Sequence, residues 1–157
     1  MSQYATFHLQ DRLFGQNIPL VREIIRCYTI TPVPHAKPHI RGLINLRGQV
    51  VTILDLAVRL GMPAREIQDS SHIIILKTNA ELVSMQSRGE GRGLKTSPDM
   101  VGFLVDAIGD VVEAFDAKVE PPSANVTEAE GWFLSGVLKT DAGLLVLLDI
   151  EEILGEN

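Results

Sequence analysis

Short aliphatic runs separated by turn-making residues recur from one end of this chain to the other. Such runs are too short for ordinary helices and suit strands, whose side chains alternate between two faces. The pattern predicts strands at Tyr4–Leu9, Leu13–Ile18, Leu43–Leu46, Gln49–Leu54, His72–Lys77, Val101–Val105, Asp110–Phe115, Leu134–Lys139 and Leu144–Leu148. The expected fold class is therefore mostly β with a few short helices.

A weak internal repeat adds organisation. GLINLRGQVVTILDLAVRLG, starting at Gly42, aligns with GVLKTDAGLLVLLDIEEILG, starting at Gly136, an offset of 94 residues. Each copy reads as a strand, a Gly-containing turn, a second strand, then an Asp placed to cap a short helix and a Gly placed to end it. Asp55 corresponds to Asp149 and Gly61 to Gly155. Two similar halves follow if the repeat is a duplication; coincidence between two ordinary hairpins is the competing explanation.

Two stretches interrupt the strand pattern. Residues 79 to 98 include SRGEGRGLKTSP, from Ser87 to Pro98, which is rich in Gly and charge and lacks an apolar period. They are expected to form a flexible loop insertion, with residues 87 to 96 mobile and tolerant of shortening. Residues 120 to 131 open with Pro121 and Pro122, which cannot donate ladder hydrogen bonds, and read as a surface connection.

The chain's 157 residues fit one domain, able to bury roughly 70% of its unfolded surface. The single Cys27 cannot form an internal disulfide, and the opening MSQYATFHLQDR lacks the basic start and apolar run of a secretory signal, so a cytoplasmic setting is expected. No apolar stretch approaches the ~20 residues of a spanning helix. Charge is uneven: residues 1 to 78 carry nine Lys or Arg against five Asp or Glu, a net +4, whereas residues 79 to 157 carry five against fifteen, a net −10. That polarity would orient a charged protein partner, or is simply a solvated acidic surface, and with few aromatics it argues against nucleic acid.

Candidate chemistry fails in context. His35 and His39 have an i, i+4 spacing, but Pro34 and Pro38 disrupt a helix through them and no nearby ligand completes a metal set. Asp141-Ala142-Gly143 lacks the hydroxyl residue that an aspartic protease loop places after its Asp, and a hairpin turn accounts for it. The GEGRG run at Gly89–Gly93 lacks both the strand-to-helix setting and the Lys of a phosphate loop. Cys27 has no signature of an activated nucleophile. A hydrolase using Asp106, Asp110 or Asp149 with a histidine is the alternative from another functional class, without a recognisable nucleophile, base and oxyanion donor. No catalytic residue, metal or cofactor is expected.

The segment Ile40–Leu56, IRGLINLRGQVVTILDL, closely resembles the signature of CheW-like domains: Gly42, an apolar pair, Asn45-Leu46-Arg47-Gly48, a strand, then Asp55-Leu56. Phe7, Ile18-Pro19, Val21, Glu23-Ile24 and Val33-Pro34 resemble the family's opening, and Gly102–Asp106, Val119–Pro122, Gly136-Val137 and Leu147–Asp149 its later strands. Residues 79 to 98 are the main departure.

This resemblance implies a single CheW-like domain over residues 1–157, built as two SH3-like five-stranded β-barrels around a shared apolar core. It further implies a non-catalytic adaptor of bacterial chemotaxis, joining the cytoplasmic tips of chemoreceptors to the regulatory domain of the histidine kinase CheA and recruited to receptor arrays at the membrane without inserting into it. Service in another chemosensory pathway, such as pilus motility, stays open. By position in the matched motifs, Val21, Glu23, Gly42, Arg47, Gly102 and Val111 resemble residues on or near the family's receptor-binding groove. Each also has a structural alternative: Val21 and Val111 as core, Gly42 and Gly102 as backbone necessities, and Glu23 and Arg47 as an ion pair with each other.

Overall fold

The computed structural model describes residues 1–27, 29–87, 89, 93–122, 133–141 and 143–155. Eleven strands form two sheets: β1 Ser2–Leu9, β2 Arg12–Asn17, β3 Val21–Arg26, β4 Ile40–Leu46, β5 Gln49–Asp55, β6 His72–Leu76, β7 Val101–Val105, β8 Ala107–Ile108, β9 Val112–Ala114, β10 Leu134–Thr140 and β11 Gly143–Leu148. Among the described residues three short helices accompany them, α1 Leu56–Arg59, α2 Asn79–Ser87 and α3 Ile150–Leu154. One sheet runs β3-β6-β7-β5-β4; the other runs β10-β11-β2-β1-β8, with β9 also paired to β1.

The two sheets have the same internal plan, as the repeat suggested. Hairpin β4–β5 joins β7 in parallel, and hairpin β10–β11 joins β2 in parallel. Each sheet is then closed by a single bridge to its outer strand. Thr31 and Leu43 exchange two backbone bonds of 2.9 Å, and Glu120 and Val137 exchange bonds of 2.9 and 2.8 Å. Leu43 and Val137 are equivalent positions of the repeat.

The closures dictate two glycines. A Cβ on Gly42 (φ +147) would overlap the Thr31 carbonyl oxygen, and one on Gly136 would sit 2.5 Å from Val119 Cγ1 and 3.0 Å from Glu120 O. Both lie at ladder irregularities, between Ile40 and Gly42 and between Leu134 and Gly136. The missing side chain lets another backbone approach at a bulge.

Three apolar clusters fill the molecule. Ile44, Val51, Ile53, Ile73, Ile75 and Leu104 pack together in one unit, and Tyr4, Leu138, Leu145 and Leu147 in the other. Between them lies a larger core drawn from both sheets and all three helices, including Phe7, Phe14, Ile74, Phe103, Leu82 and Ile153. Strand β6 shows how period two builds this: Ile73 and Ile75 point into their own unit, while Ile74 and Leu76 point into the shared core. A strand buried on both faces has to be continuously aliphatic, and its buried part, Ile73 to Leu76, is.

Both predicted caps form. Asp55 Oδ1 accepts from Val58 N at 3.3 Å and Asp149 Oδ1 from Glu152 N at 3.2 Å, each contributing about 1 kcal/mol to its helix. The backbone N–H groups of the same two residues donate at 2.7 Å to the equivalent carbonyls of His39 and Phe133. The expected glycine ends differ: Gly61 takes a left-handed φ of +91, but Gly155 is extended at φ −63. Its carbonyl has another task, because Arg59 of α1 reaches across to the last helix. Arg59 Nε donates to Ile153 O at 2.9 Å, Nη2 donates to Gly155 O at 2.7 Å, and the guanidinium lies 4.9 Å from the Phe133 ring centroid.

Three expectations need correction. Strand β3 lies between predicted strands; Arg22, Ile24 and Arg26 occupy its exposed positions, and with Glu23 on the other face the charged residues leave no continuous aliphatic run. One sheet has six strands rather than five: the stretch read as a strand at Asp110–Phe115 contains β9 alone, and the two-residue β8 at Ala107–Ile108 precedes it unexpected. The break falls where Gly109 N donates to Thr6 O at 2.9 Å and the Thr6 hydroxyl donates to Asp110 O.

The largest correction concerns the expected loop at 79 to 98. Residues 79 to 87 form a helix with a capping box: Glu81 N donates to Thr78 Oγ1 at 3.4 Å, and Thr78 N donates to Glu81 Oε1 at 3.2 Å. The helix buries Leu82 and Met85. The returning arm is tied down as well, since Leu94 packs on the shared core and Thr96 bonds to Asn79 Oδ1 at 2.8 Å and to Lys77 O at 2.5 Å. Residues 88 and 90–92 of the expected mobile stretch lie outside the described residues, as do 123–131 of the expected surface connection.

Two stability outcomes follow. Arg59→Ala should cost about 1.5 kcal/mol, lowering Tm by roughly 5 °C, because charged hydrogen bonds to two helix-end carbonyls are lost. Arg59→Lys should not restore it, since a single ammonium cannot reproduce the planar fork; equal melts for wild type and Ala variant would refute the clamp. Leu94→Ala should cost roughly 1–2 kcal/mol, as expected for a half-buried core leucine and not for a residue of a free loop. Urea unfolding with unchanged midpoint would return Leu94 to the loop.

Candidate partner-binding surface

The β4–β5 hairpin is joined by a two-residue turn, Leu46 pairing with Gln49 across Arg47 and Gly48. Both turn residues have positive φ, +49 at Arg47 and +87 at Gly48, the geometry that matches strand twist in such a tight hairpin. Asn45 Oδ1 accepts from Gly48 N at 2.8 Å and fixes the turn. Gly suits this conformation; for Arg it costs roughly 1 kcal/mol. The turn thus holds a long cation where the backbone prefers Gly, Asn or Asp, and strain of this kind concentrates at functional sites.

The Arg47 side chain is 64% exposed and crosses the mouth of its unit to Glu23 on β3. Its Nη2 lies 2.7 Å from Glu23 Oε1 and 2.8 Å from Oε2. Strands β3 and β4 are the two ends of the sheet order, so this ion pair spans the seam where the sheet curls on itself. Among exposed groups such a pair is worth about 0–1 kcal/mol, less than the uses to which an exposed guanidinium can be put in recognition.

The other positions singled out in the sequence take different places. Val21 lies two residues before Glu23, half-buried against the shared core. Gly42 sits at the closure described above. Gly102 is buried between β5 and β6, where a Cβ would meet Ile73 Cγ2 at 2.5 Å and Ile75 Cδ1 at 3.0 Å. These five belong to one sheet unit. Val111 belongs to the other, between β8 and β9, and is 57% exposed.

Sequence reasoning missed several exposed apolar residues. Phe115 is 60% exposed just after β9, Val50 is 65% exposed beside the Arg47 turn, and Leu144 is 60% exposed at the equivalent place in β11. For Val50 and Leu144 the signal was an apolar residue on the strand face opposite the core, visible only once the register is known.

Two of the three aspartates considered for catalysis, Asp106 and Asp149, are engaged structurally. Asp149 caps α3, and Asp106 Oδ2 accepts from Gln10 N at 2.7 Å. Arg65 Nη1 also lies 2.7 Å from Asp106 Oδ2, an ion pair by distance without the angle of a directed hydrogen bond. Arg41 bridges Asp55 Oδ2 at 2.8 Å and Arg65 O at 3.0 Å. Burial pushes the Cys27 thiol above its ordinary pKa, against an opposing pull from Arg41, so it is protonated near neutrality. Burial, then the charges of Arg59 and Lys37, hold His39 below the usual histidine value. Among the described residues no three His, Cys, Asp or Glu side chains gather as a metal site, and no helix is long and apolar enough to cross a membrane.

Comparison with known proteins agrees with this architecture. The family model of the CheW-like domain matches residues 3–157. The chain is 33% identical over 151 residues to a chemotaxis protein CheW of Rhizobium meliloti, covering 96% of this chain and 86% of that one. It is 27% identical over 154 residues to the CheW of Thermotoga maritima, covering 98% and 88%. The crystal structure of the scaffolding protein TtCheW from Thermoanaerobacter tengcongensis superposes with a TM-score of 0.79 at 27% identity, covering 99% of this chain and 89% of that one. From its family match, its relatives and its paired β units, the chain belongs to the CheW-like domain family.

Proposed function

We propose that this chain is a non-catalytic chemotaxis adaptor that couples chemoreceptors to the histidine kinase CheA. The observation that carries the reading is Arg47, held at a strained turn position with its guanidinium exposed and steered by Glu23. Arg is enriched at binding hot spots because it combines an apolar stem with a planar fork of donors.

In this reading the cytoplasmic tip of a receptor docks over Val21, Glu23, Arg47 and Val111. Gly42 and Gly102 act by shape, one permitting closure of the unit and the other leaving room for Ile73 and Ile75. The regulatory domain of CheA is the second partner, and the complex forms in the cytoplasm at membrane-associated receptor arrays. An adaptor without chemistry changes kinase output only by binding one arrangement of its partners better than another. Two units joined by a shared apolar core suit that task, since they offer two surfaces on one body.

Arg47→Gly separates function from stability. It relieves roughly 1 kcal/mol of left-handed strain while losing a weak ion pair and adding backbone entropy of similar size, so Tm should stay within about 2 °C. Affinity for a receptor cytoplasmic fragment, measured by calorimetry, should fall by about 2 kcal/mol, or roughly 30-fold. Undiminished affinity in the folded variant would remove Arg47 from the interface.

The Glu23→Ala and Arg47→Ala single variants and their double variant complete the test. Their coupling energy in urea unfolding should be no more than about 1 kcal/mol and should shrink at high salt. A coupling several times larger would mark the pair as a structural strut. Failure of the wild type to bind either CheA or receptor fragments in pull-down would sink the adaptor reading itself.

A further inference from the structure

A cavity of about 480 Å³, within the range of small-ligand clefts, opens where the two units join. None of the six positions considered for receptor docking lines it. Ile18 and Pro19, from the turn into β3, and Leu94, from the arm that returns after α2, supply its apolar lining. Gln3 of β1, Asn17 of β2 and Glu113 of β9 supply polar lining from the other sheet.

The polar groups are arranged to accept. Gln3 Nε2 donates to Glu113 Oε1 at 2.8 Å, which orients the amide and the carboxylate together. Glu113 Oε2, Gln3 Oε1 and Asn17 Oδ1 then have no hydrogen-bond partner among the described residues. No lining side chain is basic. The surrounding unit is acidic as well, since residues 1–17 with 106–157, which contain its sheet, carry three Lys or Arg against thirteen Asp or Glu, a net −10.

A carboxylate and two amide oxygens beside aliphatic groups complement a side chain with an apolar stem and a cationic tip bearing several donors. Arginine has that form, whereas the lysine ammonium is a point charge with fewer donors. The rim adds a second requirement. One residue beyond the last β1–β9 pair, Ser2 with Ala114, stand Met1 and Phe115, 69% and 60% exposed. The Ser2 hydroxyl donates to Asp116 Oδ1 at 2.6 Å and holds these strand ends together. Apolar residues around a buried charged contact keep water from it, as at the centre of an interface hot spot.

We propose that this cavity receives an arginine side chain of a partner protein, carried on a segment with an aliphatic residue on either side of it. The guanidinium meets Glu113 Oε2 and the amide oxygens of Gln3 and Asn17. Its stem lies along Ile18, Pro19 and Leu94, and the flanking aliphatics cover Met1 and Phe115. The acidic field of the unit draws such a segment in. The inference does not rest on the coupling of receptor to kinase, in which these residues have no part.

The probes are the blocked tripeptide acetyl-Leu-Arg-Leu-amide, its citrulline and lysine counterparts, and free agmatine, each titrated into the isotopically labelled full chain and followed by amide chemical shifts. Saturable shifts should centre on Gln3, Ile18, Leu94 and Glu113. The citrulline peptide, which keeps the shape and loses the charge, should bind about tenfold more weakly, and the lysine peptide severalfold more weakly. Agmatine, without flanks, should also lose about tenfold. Glu113→Gln, at an exposed position, should leave the thermal melt unchanged, cost the arginine peptide about tenfold and cost the citrulline peptide nothing. An absence of saturable shifts at millimolar arginine peptide, or full affinity in Glu113→Gln, would overturn the proposal. So would citrulline or lysine matching arginine, and agmatine binding as tightly as the peptide would make the cavity a small-molecule site instead.

Discussion

Closing a small sheet on itself requires two edge backbones to come within hydrogen-bonding distance, and in this protein that approach depends on the absence of a side chain at two places. Gly42 faces the carbonyl of Thr31, and Gly136 faces Val119 and Glu120. A methyl group at position 42 would stand where an oxygen already is. Once closure is allowed, each unit fills its own interior, and the outward faces of its central strands become free to share a core with the other unit. Strands β6 and β5 illustrate the consequence, sending alternate aliphatics into the unit and into the common core. The helices then follow, since Asp55 and Asp149 begin them at the points where the hairpins run into that core.

Much of this was legible in the residues. Alternation and turn chemistry located nine strands, and the 94-residue offset located two equivalent hairpins and their Asp caps. What escaped had physical reasons. Strand β3 is amphipathic in a way that places Arg22, Glu23 and Arg26 among its aliphatics, so no run of apolar residues announces it. Helix α2 is short and weakly patterned, yet Thr78 and Glu81 formed a capping box that composition-based reading of the glycines downstream overshadowed. The split between β8 and β9 depends on a bond from the Thr6 hydroxyl to Asp110, more than a hundred residues away in sequence, and no local pattern encodes it.

The candidate site was legible to a different degree. Residue types in the Asn-Leu-Arg-Gly turn pointed to Arg47 and to Glu23 as its companion, and the two do meet. The grouping of six positions into one groove is not what elementary packing would select. Gly42 and Gly102 are explained by close approach, Val21 by the shared core, and Val111 stands on the other unit. Residues that shape a surface and residues that touch a partner leave the same mark in a motif; only geometry separates them. The strained Arg47 is the exception, because packing gives it no reason to be anything but glycine or asparagine.

Duplication of a hairpin module has a further physical consequence. Two copies of a module that keep one backbone plan can diverge in charge, so that the two hairpin faces of one chain suit different partners. Here the difference reaches from single residues, Arg47 and Asp141, to the net charge of whole units. The Arg59 clamp gives that polarity mechanical meaning, since it binds the helix that ends the acidic unit to the helix that follows the basic hairpin. The two hairpins are thereby joined through the helices that follow them, and one body presents a basic surface and an acidic surface held by a common core.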